Sequence, residues 1–418
     1  MNGTASMPMR ENLNQTIFYL VTLRLPTEKT YGINIVKTCA ALARAGATVT
    51  LFIPRFRKPV PESVYEYYHA PETFSVSTFW FPDVVDLVLS LGFWLRDKAI
   101  VKRVVFSSSL FRLAFLVDQA YISARLVFLS VPKETIIYTR SLFPALALSL
   151  RRRHVFYDMH GFPYRLQWAW RVILRRLSGV TVTNKWKAGQ CKTLFGIDSE
   201  RVLVAPNGFD DEAFGISLEA GERPTFFGGA PRPIILYTGH LYDWKGAHVL
   251  ADAAAHVPKA SFVFIGGTFE DQESFKKTYH GTNIYIVGRR PHRDIPRALM
   301  SGDVLVLPNP GVSKDQRMSH YATFDTSPIK LFEYMASGVP IVATSVPSAR
   351  ELLNERNAFL VTPNDSRALA DGIRQILENP AEGQARATKA KQEVLGYSWS
   401  ARGSHILAFM KKFLIRNS

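Results

Sequence analysis

Cys39 and Cys191 are the only cysteines in 418 residues. Thiols so few and so far apart build no disulfide framework, so a reducing compartment is the default expectation, with both thiols as small packing residues. Long apolar runs are also missing. Val84–Leu95 is too short to span a bilayer and contains Asp86, while Leu110–Leu129 carries Arg112, Asp118 and Arg125. Residues 1–15 hold no apolar stretch of the kind a secretory signal needs and read as a disordered polar leader. In a cytoplasmic chain the sequons at Asn2 and Asn14 then carry no meaning. Phosphate-handling signatures are absent as well. No G-x-G-x-x-G follows the first strand, no G-x-x-x-x-G-K-[ST] loop occurs, and no two aspartates stand at i and i+2 to hold a divalent metal. Any bound phosphate must therefore be neutralised by lysine, arginine or helix N-termini, and neither metal nor cofactor is expected. With no zinc-finger, RNA-motif or oligonucleotide-barrel pattern, nucleic acid is not an expected partner.

What the chain does have is charge of one sign, unevenly placed. The formal net charge is +16. Residues 1–204 hold 27 Lys and Arg against 13 Asp and Glu, whereas residues 205–418 hold 24 against 22. A basic first half fits an anionic substrate or an anionic membrane face, or simply a solvated surface bias. Phe79, Trp80, Phe81, Phe93 and Trp94 lie close to Arg96, Lys98, Lys102 and Arg103. This stretch reads equally as helices over a sheet or as a membrane-surface patch.

Short β-branched runs alternate with helical patterns, the mark of βαβ units and parallel sheets. Strands are expected at 16–21, 48–53, 136–139, 155–158 and 180–183. A second series is expected at 233–238, 261–265, 283–287, 304–307 and 341–343. Two such series imply an α/β protein of two doubly wound domains facing a central cleft. The expected division is 16–211, a Gly- and Pro-rich linker at 212–232, 233–397, and a last helix within 398–418 that packs back on the first domain.

The most informative stretch is FDTSPIKLFEYMASGVPIVA, beginning at Phe324. Ser327 suits a helix N-cap and Pro328 a first helical residue. The amides of Ile329 and Lys330 would then face an anion, an interaction favoured by about 0.3–1 kcal/mol. Lys330 adds a mobile charge. Glu333, one turn on, can accept from two vicinal ribose hydroxyls while a diphosphate sits on the helix end. The competing reading is a Lys330–Glu333 surface pair worth about 0.3–0.5 kcal/mol.

This block resembles the donor-site motif of the retaining glycosyltransferase family 4 (group 1), whose fold is GT-B. The motif pairs two acids separated by seven other residues ahead of A-x-G-x-P-V-V-A. Glu333 is the second acid here, and Asp325 stands in place of the usual first glutamate. Further matches come in the family's order. YTGHLYDWKG resembles a G-R-L…K-G motif whose basic residues clamp the donor diphosphate. Lys245 and Gly246 match it, and His240 replaces the arginine. PNGFD at Pro206 resembles the segment ending the first domain, and the loop near Arg290 and Pro291 resembles the one that holds the nucleobase. Lys29-TYGINIVK resembles the first loop and helix, in which Gly32 would admit substrate closely. His160, after strand VFYDM, resembles the histidine that contacts the transferred sugar, and Arg140 and Asn184 hold similar strand-end positions.

The resemblance implies transfer of a sugar from a nucleoside-diphosphate sugar to an acceptor hydroxyl with retention. His160, Asp325 and Lys245 would be catalytic. His240, Lys245, Arg290, Ser327, Ile329, Lys330 and Glu333 would bind the donor, and Gly32 and Arg140 would line the acceptor side. The expected acceptor is a glycan or glycolipid, at the cytoplasmic face of an anionic membrane. The alternatives are a sugar-nucleotide epimerase on the same fold and a catalytically degenerate partner subunit.

Overall fold

The structure is a computed structural model, and it describes residues 15–57, 60–94, 108–128, 132, 134–151, 154–215, 227–312, 318 and 320–415. Two compact units divide the chain. The first takes the described residues up to Asp158, with Arg176–Gly179 and those from Ile406 onward; the second takes Met159–Arg175 and Val180–His405.

In the first unit, β1 (Thr16–Leu20), β2 (Thr48–Arg55), β3 (Ser75–Trp80), β4 (Ile136–Thr139) and β5 (Val155–Met159) run parallel in the order β3-β2-β1-β4-β5. Ile17 pairs with both Val49 and Ile136, so β1 is central and apolar on both faces, as a covered parallel strand must be. The Thr30–Arg44 helix follows β1 and buries Ile35, Val36, Cys39 and Leu42. β3 is absent from the expected strands, because its aromatic end falls in the stretch that reads equally as helices over a sheet or as a membrane-surface patch. Phe79 and Phe81 are core residues, and Phe79 stacks on Phe52 at 5.0 Å between ring centres. Trp80, on the opposite face of the pleat, is exposed. The side chains of Phe93 and Trp94, and all of Arg96, Lys98, Lys102 and Arg103, lie outside the described residues. Phe409 and Phe413 of the last helix, Trp399–Ile415, pack their rings on Phe156 of β5.

The second unit holds β6 (Gly179–Val182) paired in parallel with β7 (Val202–Val204). It also holds a six-stranded parallel sheet of β8 (Ile234–Thr238), β9 (Ser261–Ile265), β10 (Ile284–Ile286), β11 (Val304–Leu307), β12 (Ile341–Thr344) and β13 (Phe359–Val361), in the order β10-β9-β8-β11-β12-β13. The pleat sends alternate side chains to opposite faces. Leu236, Val263, Leu305 and Ile341 join one core with Leu331, Met335 and Val394. Ile235, Phe262, Val306 and Val342 join another with Leu250, Leu369 and Ile373. The sheet is thus covered on both faces, which is the doubly wound arrangement. Where the sequence reading sets a boundary at residue 211, the structure differs. Asn184 donates to Phe324 O and Thr326 O, Asn207 to Ser327 O, and Phe209 pairs with Tyr397 and Trp399, all inside the second unit. Those contacts tie 180–211 to the residues that follow.

Candidate functional site

β8 ends at Thr238, and the chain turns through Gly239 and His240 into a short Asp243–Lys245 helix. Gly246 then takes φ 76°, and a β-carbon there would stand 1.7 Å from the Pro308 carbonyl oxygen. Only glycine fits, and the tight turn sets Lys245 beside the strand end. The Lys245 ammonium lies over the Trp244 ring at 4.2 Å, and that of Lys330 over the Tyr237 ring at 4.3 Å. The Lys330 nitrogen is buried and has no hydrogen-bond partner among the described residues. Burial lowers the Lys245 ammonium to about 8. Burial, with the charge of Lys245 nearby, holds Lys330 well below the usual lysine range. Two cations held close together without a carboxylate partner among the described residues form a site prepared for an anion. Tyr237 donates from its hydroxyl to the His240 carbonyl at 2.6 Å, and the His240 ring stacks on Tyr242 at 4.8 Å. The imidazole therefore sits in an aromatic row beside the lysines.

The helix that carries Lys330 runs Ile329–Ser337, and its N-cap is Pro328. This corrects the expectation that Ser327 caps it. The Ser327 hydroxyl instead accepts from the backbone amide of Asn207 at 3.2 Å, while its carbonyl accepts from the Asn207 side chain at 2.5 Å. The first amides, those of Ile329 and Lys330, still lack the i−4 carbonyls that an interior helical residue uses. Glu333 is buried, and its partner is His292 at 2.7 Å rather than Lys330. His292 opens a short helix two residues after Arg290, whose Nε is buried. His292 escaped the sequence reading although it lies in the loop quoted for the nucleobase.

Asp325 has both oxygens engaged. Oδ1 pairs with the ammonium of Lys187 at 2.7 Å, with both side chains buried. Oδ2 accepts from the Phe162 amide at 2.9 Å and the Tyr164 hydroxyl at 3.4 Å. The same Lys187 ammonium donates to the His160 carbonyl at 2.7 Å and the Thr183 hydroxyl at 2.6 Å. One buried lysine therefore links the strand-end histidine to the first acid of the pair. Asn184 caps the Lys185–Thr193 helix by accepting from the Lys187 amide, which aims Lys187 inward. Only its place in the first turn after a strand end marked Lys187 in the sequence, since its partner lies far along the chain.

Arg140 and Gly32 belong to the first unit. Arg140 Nε pairs with Asp158 at 2.9 Å, and Asp158 also accepts from the Tyr19 hydroxyl at 2.6 Å. Burial opposes the charge on Arg140, but Tyr19 and Asp158 outweigh it and raise its pKa further. Gly32 is buried in the first turn of Thr30–Arg44, where a β-carbon would meet the Tyr68 hydroxyl at 2.0 Å. The close approach there is made by Tyr68 rather than left open for a substrate. Among the described residues, no group of three or more His, Cys, Asp or Glu is placed to hold a metal ion. Both cysteines are buried and free. Among the described residues no helix is long and apolar enough to cross a membrane.

Residues 232–379, which hold both lysines, Glu333 and Asp325, match the family model of the glycosyl transferases group 1. A sulfoquinovosyl transferase of Arabidopsis thaliana is 23% identical over 262 residues, 60% of this chain and 48% of that protein. A phosphatidyl-myo-inositol mannosyltransferase of Mycobacterium tuberculosis is 26% identical over 248 residues, 56% of this chain and 58% of that one. The chain thus spans about half the length of the curated relatives it matches. Among solved structures, HepE of Anabaena in complex with UDP is similar with a TM-score of 0.66 at 20% identity, over 95% of this chain and 100% of that one. That likeness shows the fold, which is GT-B. The match to the group 1 glycosyl transferases thus lies on residues 232–379, the stretch that holds Lys245, Asp325, Lys330 and Glu333 of the site.

Proposed function

We propose that the protein transfers a sugar from a nucleoside-diphosphate sugar to an acceptor hydroxyl with retention of the anomeric configuration and without a metal ion. The observation that supports this reading is the pair Lys245 and Lys330, two ammonium groups whose charge burial disfavours, with no carboxylate partner among the described residues, at a strand end and a helix start. Their charge would stabilise the departing diphosphate, the species on which negative charge grows. Glu333, oriented by His292, would accept from the ribose hydroxyls, with Arg290 beside the base. His160 would face the transferred sugar, and Arg140 the acceptor. With no carboxylate assigned as nucleophile, substitution on one face of the sugar, helped by the leaving diphosphate as base, is the route that fits these roles. The acceptor would belong to a lipid-linked or cell-surface glycan at an anionic cytoplasmic membrane face. The basic first half of the chain and a relative named for phosphatidyl-myo-inositol support that part.

A screen of sugar nucleotides by thermal shift, followed by turnover in EDTA, tests the reading. A ligand at a hundred times its dissociation constant adds about 2.7 kcal/mol of stability. Absence of any shift, or activity that returns only with magnesium or manganese, would overturn it. The engagement of Asp325 by Lys187 favours one competitor, a non-catalytic partner subunit. Slow hydrolysis of the bound sugar nucleotide without acceptor excludes that competitor.

A further inference from the structure

The Gln167–Arg176 helix buries Ile173 and Leu174. Trp168, Arg171, Val172 and Arg175 recur at i, i+3, i+4 and i+7, so they share another face, and all four are exposed. Trp168 is 72% exposed and Val172 50%. Leu166, just before the helix, is 66% exposed. It holds φ 53°, a left-handed backbone that a β-carbon disfavours. Its carbonyl accepts from the amides of Ala169 and Trp170, at 2.9 and 3.2 Å, so the helix start fixes that strained residue in place. Three apolar side chains are thereby kept in water by the fold.

The charges around them are of one sign. Arg165, Arg171 and Arg175 are exposed, and no Asp or Glu occurs between Asp158 and Asp198. Arg175 donates from Nε to the Phe195 carbonyl at 3.1 Å, while Arg165 and Arg171 have no ion pair among the described residues. An ordinary solvent face mixes both signs of charge and spares large apolar groups. An indole, a leucine and a valine set among uncompensated guanidinium groups match a lipid–water boundary. There the apolar groups enter the acyl region and the arginines reach back to phosphate. The aliphatic Leu166 and Val172 favour lipid over a bare polyanion such as RNA.

We propose that Leu166 and the Trp168–Arg171–Val172–Arg175 face dock the protein on an anionic bilayer surface. This deepens the membrane part of the proposed function and places it on a helix other than the stretch at 96–103. Sedimentation of the full chain with phosphatidylglycerol/phosphatidylcholine vesicles tests it. Wild type should bind, and binding should fall steeply with salt. Arg165→Gln/Arg171→Gln should weaken partition by at least about tenfold. Leu166→Ser/Trp168→Ser should weaken it comparably at unchanged net charge. All replaced side chains are exposed, and unchanged melting together with unchanged sugar-nucleotide affinity confirms that fold and site are intact. Equal binding by wild type and both variants would overturn the assignment of this face while leaving membrane association standing. Loss only in the arginine variant would make it a polyanion site and overturn the proposal. Failure of wild type to bind any vesicle would overturn it together with the membrane reading, and would leave the nucleotide-sugar reading to its own test.

Discussion

Replacing Lys187 by methionine removes a positive charge that has no route to water. Its ammonium has three short contacts, at 2.7 Å to Asp325, 2.7 Å to the His160 carbonyl and 2.6 Å to the Thr183 hydroxyl. The methionine fills most of the volume, so a cavity is a minor part of the loss. The larger part is Asp325 left buried and unpaired, for which breaking a buried pair costs about 3–5 kcal/mol. The His160 carbonyl, stripped of its donor, adds roughly 1–3 kcal/mol unless water reaches it. Against a typical native stability of about 5–15 kcal/mol, the single variant should be severely weakened. Lys187→Met/Asp325→Asn removes both charges, and the carboxamide that replaces the carboxylate can still accept from the Phe162 amide. It should recover most of the loss. Urea unfolding followed by tryptophan fluorescence, with the four proteins of a double-mutant cycle, measures the coupling. A coupling below about 1 kcal/mol, or a double variant no more stable than Lys187→Met, would refute the claim that the pair is what holds Asp325.

Lys245→Met should weaken diphosphate binding at least tenfold, in line with the roughly 1.5–3 kcal/mol of a charged hydrogen bond, when followed by calorimetry. Because burial depresses the Lys245 ammonium to about 8, wild-type affinity should decline above that pH. The folded state binds fewer protons than the unfolded one between about 8 and about 10.4, so stability climbs with pH across that window, and Lys245→Met should flatten the climb. Glu333→Ala should reduce nucleoside-diphosphate affinity without unfolding the protein, and His292→Ala should do so more mildly through the loss of the 2.7 Å contact; unchanged titrations would remove Glu333 from the ribose. Gly32→Ala should destabilise the protein by about 1–3 kcal/mol, since Tyr68 must give up its hydrogen bonds to the Thr27 amide and carbonyl; thermal unfolding measures this, and added Tyr68→Phe should restore part of it.

The sequence alone determined the α/β class and most of the strands. A parallel strand covered on both faces must be a short apolar run, and IILYT, SFVFI and VLVL are such runs whatever surrounds them. β7 and β13, three residues each, are too short to stand out, and β3 ends in aromatic residues that serve a core or a surface equally well. Lys245, Lys330 and Glu333 stand out as candidates in the sequence because each depends on local geometry, a turn after a strand or the first turns of one helix. Tertiary structure alone decided what those residues face. Asn207 takes the Ser327 hydroxyl from 120 positions away and so moves the helix cap to Pro328. His292 rather than Lys330 meets Glu333, and Lys187 occupies the first acid of the pair. The physical reason is common to all three. A side chain's own helix or strand fixes where it starts, but a buried polar atom is satisfied by whichever partner the folded chain brings within about 3 Å, and sequence spacing carries no record of that distance.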